Sequence, residues 1–290
     1  MGIKTGNPLV SIYIPTHNRS ALLVRAVESV LNQTYQNIEI LICDDGSCDD
    51  TEEVVRRLIE QYSSIKYFKH NTPQGACAAR NVCINNASGY FCTGLDDDDI
   101  FHPSRVEKLV EYYDESFSLV TTKNIEVDLS QFDCVYQPLP NDALQKQSIN
   151  LSFLLDENLV GNQVFTETSR FKILGGFDES LPAWQDYDMW VRIVDKFGDA
   201  LKIDVETYYA DIDEKRPRIS TSSNRYKGCK KFYNKHWSKL SSYQKKNAKI
   251  RMAIIGGQFP SFWQLIKLFN LPMIKFWLKA LCLKYRLVSK

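Results

Sequence analysis

The sequence predicts an α/β protein: a parallel sheet with helices packed on both faces, followed by a basic helical segment. Three observations carry that expectation. Short apolar, β-rich runs alternate with helical patterns through the first hundred residues. Polar clusters fall directly after three of those runs, at the carboxyl ends of the strands, where ligands bind in such sheets. Charge is segregated: 19 of the 36 Lys and Arg lie in residues 215–290, where no Asp or Glu occurs.

Leu9 to Ile14 reads as the first strand. Asn18 and Arg19 open a helix whose apolar residues Leu22, Leu23, Ala26, Val27, Val30 and Leu31 recur at three-to-four spacing. Ile38 to Ile42 is a second strand. Asp49 and Asp50 precede a helix over Thr51 to Tyr62, and Asp is a favoured cap there. Ile65 to Phe68, Gln74 to Asn86 and Tyr90 to Leu95 read as strand, helix and strand. The stretch from Ser116 to Gln185 is less regular. Within it Val135 to Asp142, with two prolines, reads as a loop, and Asn162 to Thr168 as a strand. A helix is expected over Asp186 to Phe197, and beyond Arg216 the chain looks helical and basic.

Composition excludes several function classes. Met1 to Pro8 is short and polar, with no apolar run of signal-peptide length behind it, so no secretion signal is expected. None of the eight cysteines forms a Cys-x-x-Cys pair, which argues against a zinc site and for reduced cysteines packed as small hydrophobes in a cytosolic protein. The basic block points to a polyanion, either nucleic acid or an anionic membrane. No helix-turn-helix, zinc or RNA-binding signature is present, so nucleic acid is not the expected partner. From Phe259 to Leu287, Trp and Phe alternate with lysines, while Pro260 and Pro272 interrupt any spanning helix. That pattern fits a helix lying in a membrane interface, and the protein is expected to be cytoplasmic and peripheral on the inner face of the membrane. A helix packed on the preceding domain through its apolar face is the other reading.

Three acidic clusters can carry chemistry. Asp44-Asp45-Gly46-Ser47 follows the second strand and is either a turn or a carboxylate site for a nucleotide. Asp96-Asp97-Asp98-Asp99 follows the fourth strand. Adjacent carboxylates raise one another's pKa unless something neutralises them. The run is a solvated acidic loop or a site for Mg²⁺ or Mn²⁺, which prefer hard oxygen donors. Asp186 and Asp188 open the last helix of the first region. Asp188 can pair with Arg192 four residues on. Asp186, at the start of this helix beside two aromatics that could form a sugar-stacking wall, is a candidate general base.

Together these clusters resemble glycosyltransferase family 2, inverting enzymes with the GT-A fold, over roughly Pro8 to Phe197. Pro15-Thr16-His17-Asn18, Asp44-Asp45-Gly46-Ser47 and Gly75-Ala76-Cys77-Ala78-Ala79-Arg80-Asn81 look like its first three motifs. Asp96-Asp97-Asp98 fits Asp-x-Asp, and Gly175-Gly176-Phe177-Asp178 with Gln185-Asp186-Tyr187-Asp188 resembles the acceptor-side signature. The resemblance implies a mixed GT-A sheet in residues 1–212, with a nucleotide half near 8–103 and an acceptor half near 104–212, and a basic helical region over 213–290.

It also implies roles. Asp45, with Pro15 and His17, would hold the uracil and ribose of a UDP-sugar, and Asp44 would support that loop. Arg80 and Asp97 would lie near the nucleotide, and Asp96 near the ribose. Asp98 would bind Mn²⁺ or Mg²⁺, with His236 a candidate further ligand. Asp186 would be the catalytic base, and Trp184 and Gln185 would face the acceptor. Two positions depart from the family's habit: Gln185 stands where Glu is frequent, and His17 where an aromatic is frequent. The implied reaction moves a hexose, with glucose the first choice, to a sugar on undecaprenyl diphosphate in O-antigen assembly. A nucleotidyltransferase would need a Gly-rich basic phosphate loop where this chain has Pro15 to Arg19. A non-catalytic membrane-surface protein would not need Asp96, Asp98 and Asp186.

Overall fold

The computed structural model describes residues 6–129, 136, 139, 144–212 and 224–257. The chain divides into two compact units, residues 1–217 and 218–290.

In the first unit, β1 (Val10–Thr16), β2 (Ile38–Asp44), β3 (Ile65–Lys69) and β4 (Phe91–Gly94) are linked by α1 (Ser20–Leu31), α2 (Thr51–Gln61) and α3 (Ala76–Asn86). These strands lie parallel in the order β3-β2-β1-β4, with Ile12 opposite both Ile40 and Thr93. The chain winds outward from β1 to β3 and then returns to the far side of β1. The crevice beyond β1 and β4 is therefore a switch point, where ligands bind in open α/β sheets.

The sheet continues from β4 through β8 (Phe165–Glu167), β6 (Leu119–Val127) and β9 (Ala200–Asp211) to β5 (Ile100–Phe101), and β7 (Lys146–Ile149) also pairs with β9. Here the pairing is mixed: β8 is antiparallel to β4 and β6, while β6 and β9 are parallel. The all-parallel expectation thus holds for one half only. The other half is the mixed sheet that the resemblance implied. Short helices α4 (Arg105–Tyr112), α5 (Leu151–Asp156) and α6 (Thr168–Ile173), and the longer α7 (Gln185–Phe197), complete the unit.

The core follows from the periodicities. Val10, Ile12 and Ile14 of β1, Ile40 and Ile42 of β2, and Leu23, Ala26, Val27 and Val30 of α1 are buried in one cluster with Phe91 and Phe165. Each large aliphatic or aromatic side chain so buried contributes about 1.5–3 kcal/mol. One charge lies among them. Glu39 accepts from Ser11 Oγ (2.6 Å), Ser88 N (2.6 Å), Gly89 N (3.0 Å) and Lys66 Nζ (2.7 Å). Burial would raise its pKa, but these donors outweigh that and hold it below the usual range.

Helix α2 is capped by a different Asp than its position suggests. Asp50 occupies the N-cap without a side-chain bond. Asp49 Oδ1 instead accepts from Thr51 N (3.1 Å) and Thr51 Oγ1, and its Oδ2 from Ser20 N (3.3 Å), tying α2 to α1.

In the second unit, α8 (Asn224–His236) and α9 (Ser242–Ile255) flank a 3₁₀ turn at Trp237–Lys239. A capping box joins Ser241 and Gln244 at the start of α9. Lys245 and Lys249 lie over the Trp237 ring at 5.8 and 5.9 Å. No helix among the described residues is long and apolar enough to cross a membrane. The aromatic and basic stretch from Phe259 to Leu287, and most of the loop read at Val135 to Asp142, lie outside the described residues.

Candidate active site

The loops after β1, β2 and β4 meet at the switch point. Asp44, at the end of β2, is fully buried. It accepts from Ser47 N and Tyr67 Oη, each at 2.8 Å, so it shapes the turn rather than facing solvent. Asp45 is the next residue and also buried. Its Oδ1 accepts from His70 Nδ1 and Gln74 N, and its Oδ2 from Gly75 N, all at 2.7 Å. Burial works to raise the Asp45 pKa, but the bonds from His70, Gln74 and Gly75 prevail and lower it. Gln74 and Gly75 stand immediately before α3, so the carboxylate sits at that helix N-terminus, where the dipole favours negative charge. This clamp is why α3 starts at Ala76 and not at Gln74.

Pro15 is buried in β1 opposite Cys43, and His17 is exposed just beyond it. His17 Nδ1 donates to Asp45 O (2.9 Å), and Asn18 Nδ2 donates to His17 Nε2 (3.0 Å). These partners assign the neutral tautomer and hold an exposed ring over the β2 loop. Asn18 takes a positive φ of 52° there, donating its backbone N–H to Ser47 Oγ and accepting from Cys48 N.

The four consecutive aspartates have four different environments. Asp96, half-buried, accepts from Arg80 (2.8 Å) and Gln163 Nε2 (3.2 Å). Asp97 is buried, accepting from Thr16 Oγ1 (2.8 Å) and Arg19 (3.0 Å). Burial pushes its pKa up to about 6, with Arg19 working against and Asp98 with the rise. Asp98 is half-buried and accepts from the same Arg19 nitrogen at 3.1 Å. Asp99 is buried and accepts from Tyr208 Oη (2.6 Å) and Asp211 N (2.9 Å), which anchors the turn to β9. The mutual repulsion expected of such a run is met by partners on β1, α3 and β9 and by Arg19, which Asp97 and Asp98 share.

Asp98 offers an accessible hard oxygen donor of the kind Mg²⁺ and Mn²⁺ take. No three His, Cys, Asp or Glu among the described residues are grouped to hold a metal alone. A cation at Asp98 would therefore need further oxygens, from a bound diphosphate and water. His236, the candidate further metal ligand, belongs to the second unit, where it is buried, 2% exposed, with its ring 4.8 Å from that of Phe232.

Asp186 stands in the first turn of α7. Contacts of Arg192 hold this helix to the preceding loop. Arg192 bonds Asp188 Oδ2 (2.8 Å), the expected i,i+4 pair, and also Leu174 O (3.1 Å) and Gly176 O (2.7 Å). Asn81 grips the same loop, donating to Phe177 O (3.0 Å) and accepting from Phe177 N (2.7 Å). Gly176 has φ +74°, and a Cβ there would come within 2.3 Å of Asn81 Oδ1, so only glycine fits. Phe177 places its ring 5.4 Å from the Arg80 guanidinium. Arg80 thus links Asp96 to the neighbourhood of Asp186. Burial raises the Asp186 pKa, Arg80 pulls it back, and Asp96 adds to the rise.

Trp184 and Gln185 are half-buried at the start of α7. Trp184 adopts φ 66° and lies 5.6 Å from the Tyr187 ring. Tyr187 itself is buried, with its hydroxyl donated to Leu154 O, so it supports the helix and leaves Trp184 as the accessible ring. Sequence reasoning missed Arg19, His70, Tyr13 and Gln163. Arg19 ends the first-strand turn and could have been weighed with it. Tyr13 donates to Gln163 Oε1 (2.8 Å), and nothing in the sequence marks Gln163, which reaches Asp96 from the antiparallel half of the sheet.

A model of Glycosyl transferase family 2 matches residues 11–172. The chain is 35% identical over 244 residues to WcaA of Escherichia coli (strain K12), a glycosyl transferase assigned to colanic acid biosynthesis, covering 83% of this chain and 85% of that one. It is 30% identical over 190 residues to an Escherichia coli chondroitin synthase, covering 64% of this chain but 26% of that one. Among solved structures, S. aureus TarS residues 1–349 in complex with UDP-GlcNAc superposes with a TM-score of 0.64 at 18% identity, over 94% of this chain and 79% of that one. The Pyrobaculum calidifontis mannosyltransferase PcManGT, in complex with GDP-Man and Mn²⁺, gives a TM-score of 0.64 at 16% identity, over 96% and 81%. At those identities the structural likeness bears on the fold, which is GT-A.

Proposed function

Because this chain belongs to glycosyltransferase family 2, we propose that it is an inverting transferase that moves a hexose from a UDP-sugar onto a hydroxyl of a lipid-diphosphate-linked sugar. The observation that carries the reading is the pairing of a fixed carboxylate clamp at Asp45 with a raised, half-buried carboxyl at Asp186. His17 and the Asp45 loop offer a flat ring and backbone edges to a uracil. Asp96, held by Arg80 and Gln163, is oriented to accept from a ribose hydroxyl. A raised pKa suits Asp186 to general-base duty, since it shares a proton more evenly with a hydroxyl than an ordinary carboxylate does. The acceptor O–H gives its proton to Asp186, and its oxygen forms a bond to the anomeric carbon. The bond from that carbon to the diphosphate breaks on the opposite face, its electron pair leaving with UDP. Asp98 would hold a divalent cation, which when bound screens the charge growing on the leaving diphosphate. Trp184 would stack on the acceptor sugar. The similarity to a colanic acid biosynthesis enzyme supports a polysaccharide acceptor, and the excess of Lys and Arg in the C-terminal region supports an anionic membrane surface as its contact.

The test is to incubate the full chain with Mn²⁺, N-acetylglucosaminyl diphosphoundecaprenol and a panel of UDP-hexoses and UDP-N-acetylhexosamines. A mass gain of one hexose with UDP-glucose is expected. A gain with UDP-galactose or an N-acetylhexosamine donor instead would reassign the donor. No gain with any donor, alongside slow UDP-sugar hydrolysis, would remove this acceptor and keep the transferase.

A further inference from the structure

Arg19 carries a positive charge into the place where the reading above puts a cation. One of its nitrogens, Nη1, bridges Asp97 Oδ1 at 3.0 Å and Asp98 Oδ2 at 3.1 Å. The two ends of the bridge differ. The Asp97 side chain is 8% exposed and its other oxygen is held by Thr16 Oγ1, so that end is a permanent anchor. The Asp98 side chain is 28% exposed, so that end can be exchanged with solvent or a ligand. Arg25 donates separately to the Asp98 carbonyl and to Asp211 (2.8 Å), which holds the backbone of the turn whatever the Asp98 carboxylate does.

We propose that Arg19 is a built-in counter-cation for Asp98, competing with the divalent metal until a nucleotide diphosphate arrives. The inference rests on the reading of Asp98 as a metal ligand. A divalent cation on Asp98 meets the guanidinium at close range, and like charges there repel. Binding of the metal alone sets it against the guanidinium for the same carboxylate, with no new anion for Arg19 to pair with. A diphosphate changes both terms. It supplies oxygens to the cation, and it gives Arg19 a new anionic partner of the kind guanidinium favours. Metal and donor then bind as a pair, each tightening the other by the same factor. Arg19 keeps its bond to Asp97 throughout, so the guanidinium stays anchored while its Asp98 contact is exchanged.

Mn²⁺ binding to the full chain, followed by the electron paramagnetic resonance signal of free Mn²⁺, tests this without reference to turnover. Wild type, Arg19→Gln and Arg19→Lys are titrated with and without UDP. Without UDP, Arg19→Gln is expected to bind Mn²⁺ roughly tenfold more tightly than wild type, and Arg19→Lys to remain near wild type. UDP is expected to tighten Mn²⁺ binding more in wild type than in Arg19→Gln. Addition of Asp98→Asn to Arg19→Gln should abolish the gain. If Arg19→Gln binds Mn²⁺ no better than wild type without UDP, or keeps its gain without Asp98, Arg19 is a brace for the turn and the proposal falls. If instead none of the proteins binds Mn²⁺ even with UDP, while transfer survives chelation, the metal reading itself is wrong and takes this inference with it.

Discussion

The carboxylates beside the starts of α3 and α7 are in opposite states. Before α3, Asp45 is saturated: His70, Gln74 N and Gly75 N fill its oxygens, and its pKa is lowered. In the first turn of α7, Asp186 has a raised pKa, set first by burial and only partly offset by Arg80. Among the described residues no side chain is seen to donate a hydrogen bond to it. The difference teaches that a helix N-terminus does not by itself fix the charge of a carboxylate. Direct donors make Asp45 a permanent anion suited to holding a shape. Burial without such donors leaves Asp186 ready to take up a proton.

Substitutions can break or sharpen that contrast. Asp186→Asn removes the proton acceptor and keeps the shape. Transfer is expected to fall by about 10³-fold while UDP-sugar binding stays near wild type, measured by turnover and by calorimetry. Asp45→Asn attacks the other side. Charge-assisted bonds to His70 and two backbone amides are weakened, at a cost of about 2 kcal/mol in urea unfolding. The pH dependence carries the sign. A lowered native pKa gives stability that is present above the unfolded value, about 3.9, and is lost as pH falls through the lower native value. The variant should therefore lose less stability than wild type below about pH 4.

Arg80→Gln acts on the balance at Asp186. Without the guanidinium the Asp186 pKa rises further, so the acid limb of the transfer rate moves to higher pH. Arg80→Lys, which keeps the charge, should leave the limb close to its wild-type position. The smallest effect belongs to a third carboxylate at a helix start. Asp49 caps α2 and ties it to α1, and Asp49→Ala should lower stability by about 1 kcal/mol in thermal or urea melts, with the pH profile of transfer unchanged.

The half of the fold that was legible in the sequence is the half built by local rules. Strands β1 to β4 and helices α1 to α3 announce themselves because each buries a full face: Ile12, Ile14, Ile40 and Ile42 alternate or run together, and Leu23, Val27 and Val30 repeat at helical spacing. The other half was read only at α7 and at β8. Strands β6 and β9 bury Thr121, Thr122 and Thr207, which no apolar pattern reveals. Two of these are satisfied by one buried arginine. Arg105 donates to Thr122 Oγ1 (2.6 Å) and Thr207 Oγ1 (2.9 Å) between the Phe101 and Tyr208 rings, and burial pulls its pKa down to about 10. Partners 102 residues apart leave no local signature.

The same holds for the site. Asp44, Asp45, Asp96, Asp98 and Asp186 were legible as carboxylates at strand ends or helix starts. What decides their states was not. His70, Gln163 and Arg19 act through long-range contacts, and the burial of Asp97 and Asp186 depends on packing from both halves of the sheet.

The contrast between Asp45 and Asp186 can be measured directly. Carboxyl-¹³C aspartate labelling, with resonances assigned through Asp45→Asn and Asp186→Asn, gives each group's titration in the folded protein. Asp186 is expected to titrate above the ordinary aspartate value of about 3.9 and Asp45 below it. Asp186 titrating at or below that value, or the two groups titrating together, would contradict the assignment of one as a fixed anion and the other as a proton acceptor.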